Sequence, residues 1–164
     1  MIIVLMGVSG VGKTTIGTLL AADLNIPFYD GDDFHPPDNI AKMRQGLPLD
    51  DRDRGSWLET LHDLMQTLND AQQSAVLACS ALKASYRHRL QGDLTNVRFV
   101  FLQGNYELIR QRLQQRQHHF MSADLLKSQF ETLEQPEGVL AIEVKEAPAA
   151  IVQTIKTALG YPNG

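Results

Sequence analysis

The sequence predicts an α/β fold, a parallel sheet covered by helices on both faces. Three observations predict it. Strand-like apolar runs alternate with helix-periodic stretches along the chain, the pattern of βαβ units. The outer apolar runs are continuous or nearly so, as strands buried on both faces read. A glycine-rich segment, residues 7–12, links the first apolar run to the first amphipathic stretch, where a strand must turn into a helix.

The strands fall at residues 2–6, 27–29, 75–79, 97–102 and 139–144. Helical periodicity fills the intervals. Residues 13–24 carry Ile16, Leu19, Leu20 and Leu24, and residues 53–69 carry Trp57, Leu58, Leu61, Leu64, Met65 and Leu68. Residues 106–116 carry Leu108, Ile109 and Leu113. Residues 149–159 carry Ile151, Val152, Ile155 and Leu159, and Gly160 follows as a stop. Two stretches break the alternation. Residues 31–53 hold charges, prolines and His35 around a short helix at 39–45. Residues 114–137 hold paired histidines, nearby arginines and a helical middle. These read as a substrate-side insertion and a lid. Nothing splits the 164 residues, so the chain reads as a single domain over 1–164.

Composition removes several classes of function. One cysteine, Cys79, excludes an internal disulfide framework and a multi-cysteine zinc site. A net charge of −4 gives no surface for coating nucleic acid. No apolar run approaches the roughly 18–20 residues of a membrane span. The first residues carry no basic charge ahead of the apolar run, so they read as the first strand of a cytoplasmic protein.

The segment Gly7-Val8-Ser9-Gly10-Val11-Gly12-Lys13-Thr14 fits G-x-x-x-x-G-K-[ST] at every fixed position. Glycines let backbone N–H groups turn toward phosphate oxygens with no Cβ in the way. The following helix aims its positive end at the same place. Lys13 supplies a mobile charge for the β- and γ-phosphates, and the Thr14 hydroxyl is a Mg²⁺ ligand. Thr15 completes the set of loop residues expected to hold the nucleotide.

The reaction class needs further residues. GTPase motifs of the D-x-x-G and N-K-x-D type are absent, and the third strand ends in Cys79-Ser80 rather than in the aspartate of an ATPase strand. The acid for magnesium must lie elsewhere, and Asp30-Gly31-Asp32 follows the second strand, at the carboxyl end of the sheet. Two carboxylates two residues apart divide the work: Asp30 holds Mg²⁺ through its water shell, and Asp32 orients a substrate hydroxyl and takes its proton.

Other motifs follow in order: Asp30-Gly-Asp-x-x-His-Pro36, Asn39-Ile-x-Lys-Met43, Gly46-x-Pro-Leu-x-Asp51, Trp57-Leu58, Cys79-Ser-Ala-Leu-Lys83-x-x-Tyr-Arg87 and Gln129-Phe-x-x-Leu-Glu-x-Pro136. With the phosphate loop, they resemble the gluconate kinase family, small relatives of shikimate and adenylate kinases, over about residues 2–136. Many families share the loop; the Asp-Gly-Asp-x-x-His-Pro and Cys-Ser-Ala-Leu-Lys blocks are much more specific. The resemblance implies a P-loop kinase with a five-stranded parallel sheet in the order 2-3-1-4-5. It implies ATP-dependent phosphorylation of D-gluconate at its 6-hydroxyl to give 6-phospho-D-gluconate, with ATP as the nucleotide, and a homodimer.

A polyol with one carboxylate needs hydroxyl partners and a cation. Ser80 and nearby backbone N–H groups fit the sugar oxygens, and Lys83, Tyr86 and Arg87 the carboxylate or product phosphate. His35 either binds substrate or holds the loop through Pro36, and Lys42 or Arg44 is a further carboxylate partner. Cys79 reads as a small buried residue, since transfer to an alcohol needs no covalent enzyme step. Arg112 and Arg116, four apart, share a helix face. Arg116 reads as the lid arginine that neutralises the transferring phosphoryl, a role worth about 10³–10⁵ in rate elsewhere. Arg112 stacks on adenine or touches a phosphate. His118 and His119 point about 100° apart on a helix and make no metal site. Gln129, Phe130, Glu134 and Pro136 border the base or the lid hinge. Rival readings are another small-molecule kinase, shikimate-like or acting on nucleotides, and a non-catalytic nucleotide-binding module. A nucleic-acid-dependent ATPase is disfavoured by the missing basic surface.

Overall fold

The structure, a computed structural model, describes residues 1–116 and 122–162. Among them five strands form an all-parallel sheet in the order β2-β3-β1-β4-β5. This is the order the resemblance implies. β1 (Ile2–Met6) lies at the centre, between β3 (Ala75–Ala78) and β4 (Val97–Gln103). All five of its side chains are buried. Alternation sends Ile3 and Leu5 to one face and Ile2, Val4 and Met6 to the other. A strand with helices over both faces has no polar side to show, hence the unbroken apolar run.

One helical layer comprises α1 (Lys13–Leu24), α5 (Tyr106–Gln114) and α7 (Pro148–Ala158). Their Ile16, Leu20, Ile109, Leu113, Ile151 and Ile155 pack with Ile3 and Leu5. The opposite layer comprises α3 (Asp51–Asp70) and α4 (Ala84–Gln91), which bring Trp57, Leu58, Leu61, Met65, Tyr86 and Leu90 against Ile2, Val4 and Met6. β2 (Phe28–Asp30) and β5 (Leu140–Glu143) form the edges.

Element ends differ from the sequence expectation by one or two residues, each for a local reason. α3 starts at Asp51 instead of residue 53 because Asp50 and Asp53 form a reciprocal capping box. The Asp53 N–H donates to Asp50 Oδ1 at 2.8 Å and the Asp50 N–H to Asp53 Oδ2 at 3.0 Å. α2 (Pro37–Arg44) starts two residues early because proline at the first helical position sacrifices no needed N–H. β2 reaches Asp30, which pairs with Ala78. The stretch at 31–53 thus resolves into a 3₁₀ turn (Gly31–Phe34), α2, and a loop into α3. Within 114–137, α6 (Ala123–Thr132) is the helical middle. His118 and His119 lie outside the described residues. Among the described residues no helix is long and apolar enough to cross a membrane.

Candidate active site

The phosphate loop leaves β1 and enters α1 with all three motif glycines at positive φ: Gly7 at 145°, Gly10 at 84° and Gly12 at 106°. A side chain at such angles is strained, so the sequence needs glycine there. The intervening Val8 and Val11 are buried in the core and anchor the loop from beneath. Asn105 and Ser122 cap α5 and α6 with their side chains. α1 has no side-chain cap and no acid in its first turn. Its first N–H groups and positive end are therefore left to an anion.

Lys13 Nζ donates to the carbonyls of Gly7 at 2.8 Å and Val8 at 3.0 Å, folding over the loop it belongs to. Burial holds the Lys13 ammonium below the ordinary lysine range. Asp32 is the strongest charge opposing that shift, and the Arg116 guanidinium adds to it. Lys13 and Asp32 line the same cleft, and Arg116, although exposed, is near enough for its charge to act on Lys13.

The acidic pair is where the spacing predicts. Thr14 Oγ1 donates to Asp30 Oδ2 at 2.9 Å, and Asp30 Oδ1 accepts the Asp32 N–H at 3.0 Å. Two hard oxygen donors side by side at the end of a phosphate loop are a suitable set for magnesium. Among the described residues no group of three or more His, Cys, Asp or Glu could hold a metal. A cation here would therefore rely on Thr14, Asp30, water and nucleotide oxygens. Between the acids, Gly31 approaches β3 so closely that a Cβ would stand 2.5 Å from the Ala78 carbonyl oxygen. Trp57 Nε1 donates to the Gly31 carbonyl at 2.7 Å and pins the turn from the α3 side.

A cleft of about 500 Å³ opens beside this turn. Ser9, Gly10 and Lys13 line it from the phosphate loop, Asp32 and His35 from the turn, and Ser80 from the end of β3. Arg44 of α2 and Arg54 and Trp57 of α3 line another wall, and Gln129 of α6 a further one. A second cavity, of about 410 Å³, lies between the ends of β4 and β5 and α6. Its charged lining residues, Glu143 and Lys145, pair with each other at 2.8 Å. Asp32, Lys13, Arg44 and Arg54 all line the first, and none of them lines the second.

One cleft residue, Arg54, was not legible as a site residue, and Gln129, read as bordering the base or the lid hinge, has a partner that the sequence did not show. Arg54 is buried at the start of α3, and its Nη1 donates to the Tyr86 hydroxyl at 3.1 Å. Tyr86 in turn donates to Asp51. Its position three before Trp57 and four before Leu58, on the apolar face, is the signal that could have found it. Gln129 Oε1 accepts the Ser9 N–H at 2.7 Å, while its Nε2 donates to Ser9 Oγ at 3.1 Å. This latch spans 120 residues of sequence and leaves no local pattern.

The structure does not bring Lys83 or Arg87 to the cleft wall. Lys83 Nζ bonds Asp51 at 2.9 Å and lies 5.5 Å from the centre of the Tyr86 ring. Arg87 donates to the carbonyls of Ala81, Leu82 and Glu134. It clamps the turn after β3, where Ala81 sits at φ 43°, to the segment after α6. Lys42 is likewise engaged with Asp53, at 2.7 Å, which leaves Arg44 as the cleft residue of that pair. Arg112 donates to the Val144 carbonyl just beyond β5. Thr15 is exposed on α1. Burial pushes the Cys79 thiol up to about 12, consistent with a packed, unreactive side chain.

Comparison with known proteins places this geometry. The shikimate kinase family profile matches residues 9–155. The thermosensitive gluconokinase of Escherichia coli K12 is 44% identical over 160 residues, covering 95% of this chain and 86% of that one. The chain belongs to the gluconokinase family. A gluconokinase structure from Sinorhizobium meliloti 1021 superposes with a TM-score of 0.87 at 40% identity, over 96% of this chain and 90% of the other. A sugar kinase structure from Janibacter sp. HTCC2649 gives 0.92 at 40% identity, over 97% and 94%. As a member of this family the protein is a kinase, a phosphotransferase that uses a nucleotide. The GTPase alternative and the nucleic-acid-dependent ATPase fall away with it.

Proposed function

We propose that this kinase transfers the γ-phosphoryl group of ATP to the 6-hydroxyl of D-gluconate in one in-line step. The observation that carries the proposal is that Asp32 and Lys13 line one cleft together with Arg44 and Arg54. An acid beside a phosphate-binding lysine suits an alcohol acceptor. The arginines suit an acceptor that is also a carboxylate.

Gly7 through Thr15 bind the triphosphate, with Lys13 leaving its loop carbonyls for the β- and γ-oxygens. Asp32 orients the 6-hydroxyl and takes its proton late. Ser80 bonds substrate hydroxyls, and Arg54, with Arg44, holds the carboxylate in place of Lys83 and Arg87. Arg116 neutralises charge on the moving phosphoryl group, and Arg112 borders the adenine. Mg²⁺, when bound, would sit with Thr14 and Asp30 and neutralise phosphate charge there. Gln129 holds α6 against Ser9 and so helps exclude water, the competing nucleophile. The reading carries with it a cytoplasmic homodimer, and light scattering tests the dimer.

The test is ADP release measured with D-gluconate, other aldonic acids, shikimate and nucleoside monophosphates. Release that depends on D-gluconate is expected. Release that depends on another panel member, or on none, overturns the substrate assignment.

A further inference from the structure

His35 is the best-held side chain in the cleft. Its ring stacks on Trp57, with centroids 4.2 Å apart and planes 16° apart. Only 8% of the residue is exposed. Asn39, in the first turn of α2, reaches back to it: Asn39 Nδ2 lies 3.3 Å from His35 Nδ1. The same Nδ2 donates to the Asp53 carbonyl at 2.8 Å. A carbonyl oxygen only accepts, so that contact must be the amide nitrogen. His35 Nδ1 therefore faces a donor and must itself accept. The ring proton is left on Nε2, and Nε2 points at Asp32 Oδ1, 3.7 Å away.

We propose that His35 is a positioning residue for Asp32. Asn39 sets its tautomer, Trp57 sets its ring plane, and the resulting Nε2–H orients the carboxylate that receives the substrate proton. The proposal rests on the reading of Asp32 as the base. The separation exceeds a hydrogen bond, and contacts of this kind tighten when substrate fills the site. Asp32 is the exposed partner, and its side chain has the room to close the gap. The arrangement also explains why the turn is built as it is. Trp57 both bonds the Gly31 carbonyl and carries the imidazole, so one α3 side chain sets the acid's backbone and its orienting group. The motif blocks then supply one device: His35 takes its tautomer from Asn39, four residues on, and its ring plane from Trp57. A general base placed by such a partner loses part of its 10²–10⁴ contribution when the partner is removed.

The experiment combines a spectrum and a double-mutant cycle. Long-range ¹H–¹⁵N correlation on the unsubstituted protein reads the imidazole tautomers; the Nε2–H form of His35 is expected, and the Nδ1–H form overturns the proposal. His35→Phe keeps a ring on Trp57 and removes the donor. It is expected to lower kcat about 10- to 100-fold, with KM for ATP unchanged and the fluorescence of the single tryptophan retained. In an Asp32→Asn background the same substitution is expected to cost nothing further. An equal loss in both backgrounds overturns the proposal while leaving Asp32 as the base. A normal kcat in Asp32→Asn alone overturns the base reading itself, and the two failures are told apart. If His35→Phe does not fold, the tautomer decides the matter by itself.

Discussion

Thr14 Oγ1 donates to Asp30 Oδ2 at 2.9 Å, joining the first turn of α1 to the last residue of β2. The bond makes one unit of two motifs sixteen residues apart in sequence. It also keeps both oxygens on the phosphate side of the sheet before any nucleotide arrives.

Asp30→Asn keeps the size of the side chain and removes its charge. The magnesium concentration for half-maximal rate is expected to rise about 10- to 100-fold, the usual effect of losing a carboxylate that supports a metal. Thr14→Ser keeps the hydroxyl and is expected to leave the magnesium dependence near normal. Initial rates over a magnesium titration at fixed ATP check both. An unshifted curve for Asp30→Asn removes Asp30 from the metal assignment.

Gly31→Ala is expected to destabilise the protein by about 1–3 kcal/mol, the range for forcing a methyl into a packed site. The new Cβ would stand 2.5 Å from the Ala78 oxygen, so β2 must shift from β3 and carry both acids with it. A lower urea midpoint together with a fall in kcat is the expected pair. A midpoint equal to that of the parent protein would show that the turn relaxes at no cost.

Arg54→Lys keeps the charge and loses the fork that bonds Tyr86. KM for D-gluconate is expected to rise by about 10-fold or more, since lysine keeps the charge but loses the directed hydrogen bonds of the guanidinium, and one hydrogen bond to a charged group is worth about 1.5–3 kcal/mol. KM for ATP should be unchanged. Tyr86→Phe, which cuts the link between Arg54 and Asp51, is expected to move KM in the same direction by less. Steady-state kinetics with each substrate varied separately check this. A rise confined to KM for ATP would place Arg54 on the nucleotide side.

What the sequence revealed and what it hid divide along a physical line. β1 was legible because burial on two faces forces an unbroken apolar run. The loop was legible because its φ angles demand glycine at both fixed glycine positions, Gly7 and Gly12, and at Gly10 between them. Asp30 and Asp32 were placed correctly because two residues of spacing after a strand leave little freedom. The charges were harder. Lys83 and Arg87 read as substrate groups, yet Lys83 finds Asp51, 32 residues back in sequence, and Arg87 finds the Glu134 carbonyl, 47 residues on. Arg54 sits in the charged run Asp50-Asp51-Arg52-Asp53-Arg54, where nothing local marks it as a site residue. It is drawn inside because the capping box starts α3 early enough to set it on the Trp57 face. A long cationic side chain chooses its partner from the tertiary fold, and spacing alone does not record that choice.

Acid should weaken the fold first through His35. Burial lowers its pKa from 6.5 to about 4, the Arg54 charge pushes the same way, and Asp30 opposes both. The unfolded chain therefore binds a proton between pH 6.5 and 4 that the folded chain refuses. A depressed histidine contributes its full stability above pH 6.5 and loses it progressively as pH falls to about 4. The loss is on the order of 2–3 kcal/mol. Asp51 and Asp53 act in a different window. Tyr86 and Lys83 hold Asp51 below the ordinary carboxylate range, and Lys42 and Asp50 do so for Asp53, so their contribution fades only below about pH 4. Urea midpoints measured from pH 7.5 to 4.5 should fall for the parent protein and fall less for His35→Phe. Parallel curves for the two proteins would show that His35 titrates alike in the folded and unfolded chains.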